Sequence, residues 1–191
     1  MTLTQPDPAV LRQAQRGDER AFAVIVHSYQ GLVFNYVLRM VGDRSLAEDL
    51  TQEVFLRVFQ GLPRFSSRCQ FTTWMFQVAK NRVLDELRAG ERRPRSFVTL
   101  DDAPGLEAAE VPFDQGETMG AVWRAIEGLS TDLKTALLLR DVVGLSYQEI
   151  AEALEVPLAT VKWRIYKARE DVQLAMARDG IDIGAAAAET A

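Results

Sequence analysis

The sequence has 191 residues but one cysteine, Cys69, and one histidine, His27. A single cysteine excludes an internal disulfide framework, and a single histidine argues against a zinc site. No phosphate-cradling glycine loop or metal-ligand cluster is present, so an enzyme is the least favoured class. We therefore predict no catalytic residues, no metal and no cofactor, and we expect the lone thiol to be unreactive.

Targeting and membrane signals are also missing. The first residues, MTLTQPDPAV, lack a basic segment followed by an apolar one. No stretch approaches the ~20 apolar residues that a bilayer-spanning helix needs. We expect a cytoplasmic protein that does not insert into a membrane.

Positive charge is in deficit overall, with a net charge of −5, yet it is unevenly placed. Between Arg57 and Arg95 there are nine Lys or Arg residues against three acids, whereas Ser96 to Thr118 holds six acids and no base. Because local charge matters more than the sum for nucleic-acid binding, the acidic total does not exclude a DNA partner.

The most informative stretch is Leu145 to Asp171, LSYQEIAEALEVPLATVKWRIYKARED. Ser146 and Glu149 have the spacing of a capping box, which predicts that a helix begins near Tyr147. Pro157 ends that helix but suits the first turn of the next one, which we expect to run to about Glu170. Two short helices around a sharp turn predict a helix-turn-helix.

The second of these helices has two different sides. Val161, Ile165 and Ala168 share one side and are predicted to face the first helix. Lys162, Trp163, Tyr166 and Lys167 lie opposite, and cations beside flat aromatics suit the major groove of DNA. A solvated basic helix or a protein-docking face is the alternative interpretation.

Helical periodicity also covers the first half of the chain. We predict helices from Pro8 to Gly17, from an Asp18 cap to Val41, from Ser45 to Gly61 behind a second capping box (Ser45 and Glu48), and from Phe71 to Leu87. In the helix from Phe71 to Leu87, aromatic residues are interleaved with basic residues, a pattern typical of a stacking platform for single-stranded nucleic acid. A cluster of core aromatic residues explains Trp74 equally well. The third helix also carries a narrow polar strip, formed by Glu48, Asp49, Gln52 and Glu53. This strip has the composition of an ordinary solvated face.

The predicted fold is all-α. It comprises two small helical domains at 8–95 and 118–178, joined by a flexible acidic linker at 96–117 and followed by a disordered tail at 179–191. No strand signal appears, and the C-terminal domain is expected to hold about four helices.

Three segments, in order and spacing, resemble the extracytoplasmic-function group of the bacterial sigma-70 family: AEDLTQEVFLRVF (Ala47 to Phe59), FTTWMFQVAKNRVLDELR (Phe71 to Arg88) and GLSYQEIAEALEVPLATVKWRIYKARE (Gly144 to Glu170). The resemblance covers about Leu11 to Met176. It implies a sigma factor that binds core RNA polymerase through the β′ clamp helices and β, and that directs promoter-specific transcription initiation. An anti-sigma factor is a further implied partner.

The resemblance also assigns roles to single residues. A bulky Trp163 departs from the family pattern, in which a small serine commonly precedes the arginine. The implied sets are Lys162, Trp163, Tyr166, Lys167, Thr160 and Arg164 for the minus-35 element; Phe65, Arg68, Cys69, Gln70, Phe71, Trp74, Val78 and Asn81 for capture of a flipped base at the minus-10 element; and Asp49, Gln52 and Glu53 for core polymerase.

Two other functions stay open at this point. A free-standing helix-turn-helix regulator would explain the C-terminal domain but would leave Ala47 to Arg88 without a role. A helical adaptor that binds only proteins would use the basic patches as docking sites. Tight duplex binding by the isolated chain would favour the regulator, and indifference of transcription to substitution of Lys162 and Tyr166 would favour the adaptor.

Overall fold

The structure, a computed structural model, describes residues 3–91 and 116–179. Within these ranges the chain forms helices and no strand, which confirms the all-α prediction for the part described. The predicted linker falls outside the described residues except for its last two positions, and the predicted tail except for Asp179. The helices are α1 (Pro8–Gln15), α2 (Glu19–Val41), α3 (Arg44–Gly61), a 3₁₀ turn (Leu62–Arg64), α4 (Phe71–Glu91), α5 (Gly116–Glu127), α6 (Thr131–Asp141), α7 (Tyr147–Leu154) and α8 (Leu158–Arg178).

Local capping chemistry sets several helix ends. The Asp18 carboxylate accepts from the Arg20 and Ala21 amides at 2.8 and 3.1 Å, as predicted for the start of α2. Gly42, at φ 75°, ends that helix in the left-handed region. The predicted capping box at Ser45 is wrong, because Asp43 is the N-cap of α3 and accepts from the Leu46 amide at 2.8 Å. The helix therefore begins before Ser45.

The first domain buries the apolar faces of α2, α3 and α4 against one another. Val33, Leu50 and Val54 are fully buried at the α2–α3 contact, and Tyr36 meets Phe76 of α4 edge-on with ring centroids 5.8 Å apart. Full burial of the valine, leucine and phenylalanine side chains contributes about 1.5–3 kcal/mol of hydrophobic stabilisation for each. This core is the frame that holds the exposed faces of α3 and α4 in position.

Helix α2 is long and apolar enough to cross a bilayer, judged by length and composition alone. The prediction that no stretch approaches that limit was therefore too strict. In the structure α2 buries Ile25, Val33 and Val37 against other helices, as the core helix of a globular domain does.

The second domain contains α5 to α8, in agreement with the predicted four helices. Ser146 and Glu149 form the predicted capping box: the Glu149 amide donates to Ser146 Oγ at 3.2 Å, and the Ser146 amide to Glu149 Oε2 at 2.7 Å. Glu155 takes a left-handed conformation at the turn, and Pro157 is the N-cap of α8. Helix α8 continues to Arg178, beyond the predicted end at Glu170, because Val172 and Met176 extend its buried side.

The capping box offers a direct stability test. Ser146→Ala should lower the free energy of unfolding by about 1 kcal/mol, because the Glu149 amide loses its acceptor. Ser130, the N-cap of α6, makes no side-chain cap hydrogen bond and is the matched control. Urea unfolding of the three proteins measures the difference, and an equal loss from Ser130→Ala would show that the hydrogen bond accepted by Ser146 Oγ adds nothing to stability.

The two domains contact each other in the structure. The Arg39 guanidinium stacks over the Trp123 ring, 3.4 Å from its centroid, and Lys134 Nζ donates to the Met40 carbonyl at 3.3 Å. Burial at this contact lowers the pKa of Lys134, and the nearby Glu127 carboxylate opposes that shift. The interface thus combines a cation–π contact with a hydrogen bond from a partly buried ammonium group.

Candidate functional site

The buried residues on one side of α8 determine which residues form its outer face. Val161, Ile165 and Ala168 are buried, as predicted, and they anchor α8 within the second domain. Trp163 and Tyr166 consequently point outward, with 59% and 69% of their surfaces exposed, and Lys162 is exposed beside them. A cation and two aromatic rings are available to a partner without any rearrangement of the domain.

The other basic residues predicted on α8 have intramolecular partners. Lys167 Nζ lies 2.7 Å from Glu170 and 2.9 Å from Asp171, and these carboxylates raise the pKa of Lys167. Arg164 pairs with Asp132 of α6. Thr160 is half-buried in the first turn of α8. Phosphate contacts by Lys167 or Arg164 require these pairs to loosen, so Lys162 is the cation best placed for immediate contact.

An aromatic cluster lies where the loop before α4 meets that helix. Phe65 is 5.1 Å from Trp74 and 6.0 Å from Phe71, measured between ring centroids. Phe71 is 3% exposed and forms the buried floor of the cluster. Phe65 and Trp74 are half-buried, so part of each ring is accessible from solvent. A Cβ at Gly61 would lie 2.9 Å from the Trp74 ring, so glycine is needed there for the indole to lie against α3.

The remaining residues predicted for base capture spread along the loop and α4. Arg68, Gln70 and Asn81 are exposed, and Cys69 and Val78 are half-buried. At a rise of 1.5 Å per residue, Asn81 lies ~16 Å further along the axis of α4 than Gln70. These two residues therefore mark the opposite ends of a track that runs from the loop along α4.

Burial, with a contribution from Glu152, raises the pKa of the Cys69 thiol, which favours the protonated and less reactive form.

The predicted polar strip on α3 contains residues of two kinds. Asp49 and Gln52 are exposed. Glu53 instead accepts a hydrogen bond from Arg82 Nε at 2.5 Å, and Arg82 also donates to Glu86 at 2.8 Å. The hydrogen bond from Arg82 holds the pKa of the Glu53 carboxyl below its usual value. Asp49 and Gln52 can therefore meet a partner directly, whereas Glu53 also ties α3 to α4.

Sequence reasoning missed an apolar surface beside this strip. Leu56 is 60% exposed, one turn after Gln52, and both border a groove of about 500 Å³ between α2 and α3. The signal was present, since an apolar residue follows Gln52 at helical spacing on an otherwise polar face. Phe22, Phe55 and Phe59 also line this groove.

Sequence reasoning also missed the contact between α4 and α7. Gln77 Nε2 donates to Glu155 Oε1 at 2.8 Å. Lys80 is 7% exposed; burial lowers its pKa and the nearby Glu155 carboxylate opposes that shift. The central part of the α4 track is thus covered by the acidic end of α7.

Two family descriptions match the chain. Residues 25–93 match Sigma-70 region 2, and residues 119–172 match Sigma-70, region 4. These ranges contain α3, α4 and the helix-turn-helix, that is, the three predicted interfaces.

Individual proteins match over nearly the full chain. The RNA polymerase sigma-H factor of Pseudomonas aeruginosa is 35% identical over 92% of this chain and 96% of its own length. The ECF RNA polymerase sigma-E factor of Escherichia coli K12 is 34% identical over 87% of this chain and 92% of its own length.

Solved structures with a similar fold include CnrH in complex with the cytosolic domain of CnrY, with a TM-score of 0.71 at 20% identity. That similarity covers 92% of this chain and 99% of CnrH. The sigma factor RpoE of Bartonella quintana, solved with the anti-sigma factor NepR, has a TM-score of 0.65 at 19% identity, over 81% and 96% of the two chains. At these identities the likeness concerns the fold.

Proposed function

The chain belongs to the extracytoplasmic-function group of the sigma-70 family of RNA polymerase sigma factors, and on that premise we propose how its described surfaces direct promoter-specific transcription initiation. Core RNA polymerase and promoter DNA are its partners. The observation that carries the proposal is the outward face of α8, where Lys162, Trp163 and Tyr166 stand exposed on the second helix of a capped helix-turn-helix.

The minus-35 element is read in duplex form by this face of α8. An α-helix fits into the major groove, where an ammonium group pairs with guanine edges or phosphates and the edge of an aromatic ring contacts bases. Thr160 lies at the N-terminal end of the same helix. Lys167 and Arg164 add phosphate contacts by exchanging their carboxylate partners for DNA.

The minus-10 element is opened at the aromatic cluster. Extruding a base from the stack costs a few kcal/mol, and stacking on an aromatic ring returns ~1–3 kcal/mol per base. Phe65 and Trp74 offer the exposed ring surface, and Arg68 and Gln70 offer polar groups beside it. Val78 and Asn81 extend the same track along α4.

Core polymerase binds the strip on α3. Asp49 and Gln52 contact the β′ clamp helices, and Glu53 both contributes charge and holds α4 through Arg82. The chain itself catalyses no reaction. It positions the DNA around the transcription start site in the polymerase, whose catalytic centre synthesises the RNA.

Loading onto a promoter requires α7 to leave α4. Glu155 accepts from Gln77 and lies near Lys80, so a carboxylate occupies a position along the path proposed for the DNA strand. Binding of core polymerase separates the two domains to the spacing of the two promoter elements. An anti-sigma factor, the remaining proposed partner, would act by covering the α3 strip and the α8 face.

Reconstituted transcription tests this function. Core RNA polymerase supplemented with the purified chain should yield promoter-directed transcripts from genomic templates, and sequencing their start sites should give a shared pair of upstream elements. Core enzyme alone and a known sigma factor are the controls. Absence of such transcripts alongside a working control would contradict the proposal, and tight sequence-specific duplex binding by the chain alone would instead favour a free-standing regulator.

A further inference from the structure

The segment before α1 contacts the loop that leads into α4. Gln5 Nε2 donates to Gln70 Oε1 at 2.7 Å and to Thr72 Oγ1 at 2.5 Å, and Gln5 Oε1 accepts from the Thr72 backbone amide at 3.3 Å. Thr72 belongs to the first turn of α4, where backbone amides lack partners within the helix. Gln5 therefore caps α4 from a position 67 residues away in sequence.

The order of donors and acceptors in this chain of contacts follows from chemistry. A backbone N–H can only donate, so the Gln5 atom that faces it must be the oxygen. The Gln5 amide nitrogen must then face Gln70, and a nitrogen that donates requires the Gln70 oxygen as its acceptor. Because Gln5 occupies the Gln70 oxygen and the Gln70 side chain is exposed, the Gln70 amide nitrogen is the group that can donate a hydrogen bond to a partner.

Other contacts hold the two ends of this arrangement. Tyr29 Oη donates to the Thr4 carbonyl at 2.7 Å, and burial raises the pKa of Tyr29 to about 12, which keeps that donor protonated. At the other end of the loop, Gln15 Nε2 of α1 donates to the Phe65 carbonyl at 3.0 Å. Side chains from the N-terminal segment and α1 thus hold both ends of the loop from Phe65 to Gln70.

We propose that Gln5 is a positioning residue for base selection: it orients the Gln70 amide so that the loop presents an N–H donor to the opened promoter strand. This inference rests on the proposed function and adds to it a specificity device outside the predicted base-capture residues. An N–H donor favours bases with a carbonyl at the corresponding position, guanine O6 or thymine O4, over the amino groups of adenine and cytosine. Gln5 itself need not touch the DNA.

Gln5→Glu is the sharpest variant. Its carboxylate still accepts from the Thr72 amide, and a negative charge suits a helix N-terminus, so the start of α4 is retained. It has no donor for Gln70, however, so the Gln70 amide turns to donate to the carboxylate and exposes its oxygen instead. The base preference at the contacted position should then reverse, from carbonyl-bearing to amino-bearing bases.

The measurement is competitive open-complex formation by reconstituted holoenzyme on promoter libraries randomised at one minus-10 position at a time, read by sequencing. At the position where Gln70→Ala removes the preference, wild type should favour guanine or thymine by about fivefold, the worth of one hydrogen bond. There Gln5→Glu should favour adenine or cytosine to a similar extent, and Gln5→Ala should fall between them. Gln13→Ala, an exposed amide on α1, should match wild type.

Two further comparisons separate positioning from general loss of structure. In a Gln70→Ala background Gln5→Glu should change nothing more, because its effect passes through Gln70. Core affinity and minus-35 duplex binding should be the same in all variants. The inference is overturned if Gln70→Ala removes no preference, or if Gln5→Glu keeps the wild-type preference while wild type selects promoters. A wild-type holoenzyme that selects no promoter overturns the proposed function as well.

Discussion

Replacing Asp49 by arginine should weaken the binding of core polymerase by roughly a hundredfold, as expected when one partner of a desolvated interfacial charge pair is reversed. Asp49 is exposed on α3, so its replacement should leave the fold intact. Fluorescence anisotropy of the labelled chain with core enzyme measures the affinity, and promoter-directed transcription should fall in parallel.

Asp85→Arg is the matched control for that charge reversal. Asp85 is an exposed acid of the same domain, lies outside the α3 strip, and forms weak pairs at 3.9 and 4.0 Å with Arg88 and Arg57. Its reversal should change core affinity little, since such surface pairs contribute ~0–1 kcal/mol. Equal losses from Asp49→Arg and Asp85→Arg would remove the α3 strip from the proposed interface.

Glu53 should behave differently from Asp49, because it also binds Arg82. Glu53→Gln should lower stability as well as core affinity. Since the folded-state pKa of Glu53 lies below its unfolded value of about 4.3, its contribution is complete above that pH and disappears as pH falls through the folded pKa. The stability difference between wild type and Glu53→Gln should therefore be constant from pH 7 to about pH 5 and narrow in more acidic solution. A difference that widened on acidification would contradict this account.

Replacing Lys162 and Tyr166 together by alanine should lower the affinity of the holoenzyme for minus-35 duplex DNA by roughly a hundredfold, since each base or phosphate contact is worth ~1–3 kcal/mol. Lys162→Ala alone should also reduce the slope of log affinity against log salt by about 1, because one phosphate contact is lost. Tyr166→Ala should leave that slope unchanged. Electrophoretic mobility shifts over a salt series separate the two contributions.

Arg169→Ala is the control on the same helix. Arg169 donates to Asp141 through both Nε, at 3.3 Å, and Nη2, at 2.6 Å, and it lies closer to the C-terminal end of α8 than the residues proposed to contact DNA. Its removal should leave the minus-35 affinity within about twofold, the scale of a surface ion pair. If the double variant of Lys162 and Tyr166 also kept full promoter-dependent transcription, α8 would not be the reader and a protein-binding adaptor would become the better description.

Local rules were enough to predict much of the fold. A capping box depends on residues three positions apart, and an apolar face on residues three or four apart, so Ser146, Glu149, Val161 and Ile165 could be placed from sequence. The error at Ser45 has the same local origin, since two acceptors, Asp43 and Ser45, lie within one turn and only the backbone of Asp43 takes an extended cap conformation.

The sequence by itself determined that the described part of the protein is helical, that its second domain contains a helix-turn-helix, and which residues of α8 point outward. Only the tertiary structure decided that Glu53 is bound to Arg82, that Glu155 of α7 covers Gln77 of α4, and that Gln5 holds Gln70. The reason is physical: helix periodicity and caps are set by neighbours along the chain, whereas these polar contacts join residues 29, 78 and 65 positions apart. Such pairs form only after the cores of the two domains have brought their helices together.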